Sequence, residues 1–224
     1  MIRAVLFDMD GTLLDTERFY RRFWTEAMEE LGVRVDIEHF FVLVSGTTMS
    51  DMKQICLAEY GADFPFDEIR ARRGERLRAW RESNVPPLKP GVPHIFEELR
   101  RQGIRLALAT SSGKEHAQVL LKSAGLESAF DACITGDAVK NGKPHPEIFL
   151  RAAEALGVPA EECVVVEDSR NGVLAGVAAG AKTVMVPDLT PVSEDLLPKL
   201  WAKLDTLEAL PSLIENYNLE SENT

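Results

Sequence analysis

The amino-acid sequence predicts an α/β fold: a parallel sheet covered by helices on both faces, with a helical segment inserted directly after the first strand. Three observations carry this. Short apolar runs recur at 2–7 (IRAVLF), 104–109 (IRLALA), 132–135 (ACIT), 163–166 (CVVV) and 183–186 (TVMV). They barely alternate with polar residues, which marks strands buried on both faces. From residue 92 onward these runs alternate with helix-periodic segments, the order of a parallel sheet with crossover helices. Between the first run and the second, by contrast, the pattern from about Asp15 to Asn84 is helical.

Taken in order, the first strand ends in Asp8-Met9-Asp10-Gly11-Thr12, where the glycine marks a tight turn. In the insert, Phe19, Phe23, Ala27, Met28 and Leu31 fall on one helical stripe that stops at Gly32. A second helix is expected across 50–60 and a third across 67–82; the strongest strand signal here is Phe41 to Val44. Val85-Pro86-Pro87-Leu88-Lys89-Pro90-Gly91 reads as a linker. Beyond it, helices are expected at 92–102, 114–124, 146–156 and 171–179, and 203–216 reads as a last helix before a polar tail.

The chain has 224 residues, 45% of them apolar, enough for a packed core with a smaller insert. Its net charge of -11 argues against nucleic acid or anionic lipid as a partner. No apolar stretch is long enough to span a bilayer, and no signal peptide is legible. Cys56, Cys133 and Cys163 lack metal-ligand spacing and read as buried, reduced side chains. Cytoplasmic residence is the expectation. Oligomeric state is not legible, and a monomer is compatible with the sequence.

In an open parallel sheet, ligands bind beyond the carboxyl ends of the strands. Those ends carry Asp8 and Asp10; Thr110, Ser111 and Ser112; Gly136 and Asp137 with the loop Lys140 to Pro144; and Glu167 with Asp168. Several carboxylates together repel one another unless a cation holds them, and an all-oxygen set suits a hard ion such as magnesium. Lysine and hydroxyl groups supply what a phosphate needs. A carboxylate such as Asp8 can attack phosphorus, and a second one two residues on can protonate the leaving group and then deprotonate water.

These residues resemble the haloacid dehalogenase superfamily over essentially the whole chain. Phe7-Asp8-Met9-Asp10-Gly11-Thr12-Leu13, Ala109-Thr110-Ser111-Ser112, Gly142-Lys143-Pro144-His145-Pro146 and Val166-Glu167-Asp168-Ser169 look like its four motifs, in order. The resemblance implies a Rossmann-like core of 1–14 and 88–224 with an α-helical cap of 15–87. It implies Asp8 as nucleophile, Asp10 as acid and base, Thr110 and Ser111 on the phosphoryl group, and Lys143 steadying both. It also implies Mg2+ on the carboxylates of Asp8 and Asp168 and the carbonyl of Asp10, with Glu167 as an outer or alternative ligand.

Within the superfamily the nearest resemblance is to β-phosphoglucomutase and its phosphatase relatives, through Thr16 and the segment Ser45-Gly46-Thr47-Thr48-Met49-Ser50-Asp51. Thr16 and Gly46 are therefore further candidates for the phosphate site, and Lys114, at the start of the helix after the second motif, is another. The mutase has a histidine at Tyr20 and an arginine at Met49. Their absence favours a phosphatase for a small phosphorylated metabolite, such as a sugar or polyol phosphate, over the mutase. A non-catalytic phospho-acceptor module is the reading from another class. Helix 67–82 carries Arg70, Arg72, Arg73, Arg76, Arg78 and Arg81, read as a solvated face unless one of them meets an anionic substrate. Phe19, Phe23 and Trp24 read as cap core, and His39, His94, His116 and His145 receive no catalytic role.

Overall fold

In the computed structural model, residues 1–189 and 192–222 are described, which leaves the end of the polar tail outside them. Among the described residues, six strands form one parallel sheet: β1 (Ala4–Phe7), β2 (Arg105–Thr110), β3 (Ala132–Thr135), β4 (Cys163–Glu167), β5 (Lys182–Met185) and β6 (Ala202–Lys203), in spatial order β3-β2-β1-β4-β5-β6. The order runs outward in both directions from β1, so the switch point of the sheet lies at the end of that strand.

Alternate residues explain why the strands look uniformly apolar. Val5, Phe7, Leu106, Leu108, Val164 and Val166 face one layer, where helices α5 (His94–Arg101), α6 (Lys114–Ser123) and α9 (Leu210–Glu222) pack. Ala4, Leu6, Ala107, Ala109 and Val165 face the other, under α7 (Glu147–Leu156) and α8 (Arg170–Ala178). On α7, Ile148, Phe149, Ala152 and Leu156 are all buried, and each large side chain contributes about 1.5–3 kcal/mol to that packing.

The insert is helical, as expected: α1 (Glu17–Glu30), α2 (Ile37–Val44), α3 (Met49–Tyr60) and α4 (Phe66–Ser83). It has its own core around Phe23, Trp24, Phe40, Phe66 and Ile69. Leu14 and Leu88 meet as a bridge where the chain leaves and re-enters the sheet domain.

Three readings are corrected. Phe41 to Val44 is the end of helix α2, not a strand: the Asp36 carboxylate accepts from the N–H groups of Glu38 and His39, and Phe40, Phe41 and Val44 then share one buried stripe. That cap and packing outweigh the local β preference. The last helix begins at Leu210, not near 203, with Pro211 in its first turn where a missing N–H costs nothing. The residues before it hold the short strand β6, whose two residues are too few to show a period. Cys56 and Cys163 are buried as expected, but Cys133, on edge strand β3, is exposed.

Candidate active site

Asp8 is the first residue past β1. Its N–H donates to the carbonyl of Val166 at 3.0 Å, which fixes the carboxylate at the switch point. Lys143 lies beneath it, fully buried, and its Nζ donates to Asp8 Oδ1 at 2.5 Å, Glu167 Oε1 at 2.6 Å and the carbonyl of Ala109 at 3.1 Å. Burial disfavours this ammonium, but the Asp8 and Glu167 carboxylates outweigh burial and hold it above the usual lysine range. Burial pushes the Asp8 carboxyl up to about 8 even though Lys143 opposes the shift. Asp168 is raised too, by burial and then by the charges of Glu167, Glu17 and Asp8.

Asp8, Glu167 and Asp168 bring one carboxylate oxygen each to within 4.8 Å of the others. Glu167, however, is already satisfied. One oxygen takes Lys143, and the other accepts from the N–H groups of Asp168 and Ser169 and from the Ser169 hydroxyl. Among the described residues, Asp168 accepts from the Thr12 hydroxyl alone, at 3.1 Å. The oxygens left for a cation thus belong to Asp8 and Asp168, two carboxylates whose proton affinities are raised by burial first and by neighbouring carboxylate charge after it. The residues fit a hard divalent ion, and they set Glu167 the separate task of steadying Lys143.

Asp10 faces a cavity of about 440 Å³ between sheet and insert. Its Oδ1 accepts from the Thr16 hydroxyl at 2.7 Å and its Oδ2 from the Ser112 hydroxyl at 2.8 Å. Thr110, Ser111 and Gly46 also line this cavity. The Ser111 hydroxyl donates to the carbonyl of Gly46 at 2.7 Å, joining sheet end to insert. Gly46 sits at φ +77°, and a side chain there would run into Ser169, so only glycine lets the insert approach this closely.

Not every candidate arrives as expected. The Thr16 hydroxyl is committed to Asp10 rather than open to a phosphate. Lys114 is exposed at the start of α6, its N–H donates to Asp137, and it does not reach the cavity wall. Trp24 belongs to the insert core and also lines the cavity.

Sequence reasoning left out several residues that the fold delivers. Glu17, in the first turn of α1, lines the cavity, where burial and then the charges of Asp10 and Asp188 raise it to about 8. Of the arginine helix, Arg72 and Arg76 pair with Glu30 as a solvated face would, but Arg70 and Arg73 line the cavity. Arg73 lies over the rings of Tyr20 and Trp24 at 4.8 and 5.7 Å. His116 also lines the cavity and meets the Tyr20 hydroxyl. The heptad-scale position of these side chains carries no such signal; it appears only when α4 and α6 are brought together.

The chain is similar to several known proteins. A phosphorylated carbohydrates phosphatase of Thermotoga maritima is 35% identical over 184 residues, covering 82% of this chain and 84% of that protein. Fructose-1-phosphate phosphatase YqaB of Escherichia coli is 34% identical over 183 residues, covering 82% and 95%. A crystal structure of CbbY from Rhodobacter sphaeroides in complex with xylulose-1,5-bisphosphate superposes with a TM-score of 0.78 at 32% identity, covering 94% of this chain and 96% of its own. Protein SUPPRESSOR OF QUENCHING 1 of Arabidopsis thaliana is 34% identical over 198 residues and matches 88% of this chain, which spans only 19% of that protein's length. The family model for haloacid dehalogenase-like hydrolases matches residues 2–180, and with it and these relatives this chain belongs to that family.

Proposed function

We propose that this protein is a phosphoric monoester hydrolase that removes phosphate from a small phosphorylated sugar or polyol through an aspartyl-phosphate on Asp8. One observation carries the reading: Asp8, at the switch point, has one oxygen neutralised by buried Lys143 and stands beside Asp10, whose carboxylate opens onto a cavity sized for a small metabolite. The named activities of the Thermotoga and Escherichia relatives support the substrate class.

In this reading the Asp8 carboxylate attacks phosphorus and the bond from phosphorus to the substrate oxygen breaks. Asp10 gives its proton to that oxygen, then takes one from the water that cleaves the aspartyl-phosphate. Thr110 and Ser111 hold the phosphoryl oxygens from the end of β2, and Lys143 offsets the charge between nucleophile and phosphate. Asp8, Asp168 and the carbonyl of Asp10 would hold Mg2+, which when bound screens the phosphate from the carboxylates. Thr16 serves by orienting Asp10, and Gly46 by closing the cap. The core comprises 1–14 and 88–224, the cap 15–87. The unpaired thiols fit a reducing, cytoplasmic setting.

Against the mutase reading, Met49 lines the cavity where the resembling mutases carry an arginine, and Tyr20 replaces their histidine. The test is phosphate release from fructose 1-phosphate, glucose 6-phosphate, sorbitol 6-phosphate, xylulose 1,5-bisphosphate and p-nitrophenyl phosphate, with and without EDTA. Hydrolysis that EDTA abolishes is expected. Conversion of β-glucose 1-phosphate to glucose 6-phosphate faster than any phosphate release would overturn it.

A further inference from the structure

The arginines of α4 divide by partner. Arg72 and Arg76 pair with Glu30, and Arg81 meets His116. Arg73 is the exception. It lines the cavity, its guanidinium stands over the rings of Tyr20 and Trp24, and its Nε is buried with no acceptor among the described residues. Asp10 and Glu17, on the same cavity, attract its charge, but neither forms a hydrogen bond with it.

A guanidinium stays charged and carries five donors in one plane. Taking it out of water without an anion is costly, and aromatic rings offset only part of that cost. They hold the group in place, but they do not accept its N–H bonds as an oxyanion would. The wall beside it is left open. Gly74, the next residue, also lines the cavity, and a side chain placed on it would meet nothing within 4 Å. Glycine inside a helix costs stability relative to alanine, so this room is kept at the expense of α4. Arg70, one turn earlier on the same face, is exposed and lines the cavity too. The resembling mutases carry an arginine where this chain has Met49, which is apolar and also lines the cavity. The cation that faces this cavity therefore comes from a different helix.

We propose that Arg73, with Arg70 and the space beside Gly74, is a subsite for a second anionic group of the substrate, a phosphate or a carboxylate at the end remote from the cleaved ester. This rests on the phosphatase reading and narrows it. Among sugar and polyol phosphates, those with a further negative charge fit this cavity best. The cleaved phosphoryl group belongs at Asp8, and Arg73 takes the other end. The orientation is fixed by charge, because Asp10 and Glu17 repel a second anion placed beside them.

The test uses substrate pairs that differ at the remote end. Sorbitol 6-phosphate and 6-phosphogluconate differ by a hydroxymethyl group against a carboxylate. Fructose 1-phosphate and fructose 1,6-bisphosphate differ by a hydroxyl against a phosphate. The two pairs thus distinguish the two sources of the anion. In at least one pair, wild type is expected to favour the more anionic member about tenfold or more in kcat/KM. Arg73→Met keeps a chain of similar reach and removes the charge. It is expected to lower that ratio about tenfold to a hundredfold, through KM, as for a lost hydrogen bond to a charged group. A ratio within one pair cancels any general damage to the fold. No preference in either pair for wild type would overturn the subsite. So would an Arg73→Met variant that loses activity equally on both members of the preferred pair, or that keeps the wild-type ratio. Sorbitol 6-phosphate and p-nitrophenyl phosphate report on the underlying reading. If either is hydrolysed and neither anion is preferred, only the subsite falls. If no phosphomonoester is hydrolysed, the phosphatase reading falls, and the inference with it.

Discussion

At the scale of single residues, the site is a problem in burying like charges. Asp8, Glu167 and Asp168 crowd together with one ammonium among them, Lys143, which has no exposed side-chain surface. Replacing Asp8 by Asn removes the nucleophile but keeps an oxygen for Lys143 and relieves the crowding. Asp8→Asn is therefore expected to lower turnover roughly 10³-fold or more without lowering the thermal midpoint. Residual turnover near wild type would remove Asp8 from its role. Lys143→Met should behave in the opposite way toward stability. It strands two buried carboxylates, and a loss of about 3–5 kcal/mol is expected by urea unfolding, read as a lower midpoint at unchanged slope. That Asp8, Asp10, Lys143 and Asp168 come together was legible, because the segments beyond the strand ends of a parallel sheet converge by topology alone. The engagement of Glu167 with Lys143 was not legible, because adjacent carboxylates at 167 and 168 look alike until the backbone turns one inward and leaves the other facing the cavity.

At the scale of elements, the helix after β4 explains why Glu167 turns inward. Ser169 caps α8 by accepting from the N–H of Gly172, while its hydroxyl donates to Glu167 at 2.9 Å. Gly172 lies directly against the Glu167 carboxylate, and any side chain there would overlap it. Gly172→Ala should then displace Glu167 from Lys143 even though alanine is the better helix former. The expected result is a thermal midpoint several degrees lower, for a loss of about 1–3 kcal/mol, with turnover reduced as Lys143 shifts. A variant as stable as wild type would mean that the first turn of α8 has slack that the packing denies. Elements were legible where a period ran for three turns or a run was flanked by glycine, as in α1, α7 and β4. They were misread where a cap or a tertiary partner decided, as Asp36 does for α2 and Pro211 for α9. The two-residue strand β6 exists only through its pairing with β5, and pairing has no trace in a segment of that length.

At the scale of the whole molecule, polar contacts join the cap to the core. Among the described residues these include Thr16 to Asp10, Ser111 to the Gly46 carbonyl, Asn171 to the Ser45 carbonyl at 2.9 Å, and the His116 group. His116 makes this join sensitive to acid. Tyr20 on α1, Arg73 and Arg81 on α4, and Asp10 beyond β1 face the ring, and its proton affinity falls from the ordinary 6.5 to about 4. The folded state thus releases a proton that the unfolded chain keeps. The stability tied to a neutral His116 is fully present above pH 6.5, declines as pH falls from there to about 4, and is constant below that. Buried carboxylates act in the other direction. Asp8, with a folded value of about 8 against an ordinary 3.8, gains relative stability over the same descent. The two slopes oppose each other in the wild-type curve, so the difference between variants is the informative quantity. His116→Gln keeps a polar group able both to donate and to accept, and cannot titrate. The thermal midpoint of wild type minus that of His116→Gln, measured from pH 8 to pH 4, is expected to be flat above 6.5 and to fall steadily below it, while the carboxylate contribution cancels. A difference flat over the whole range would show that the ring is already free of Arg81 and Tyr20, and that the cap does not rest on the core through His116.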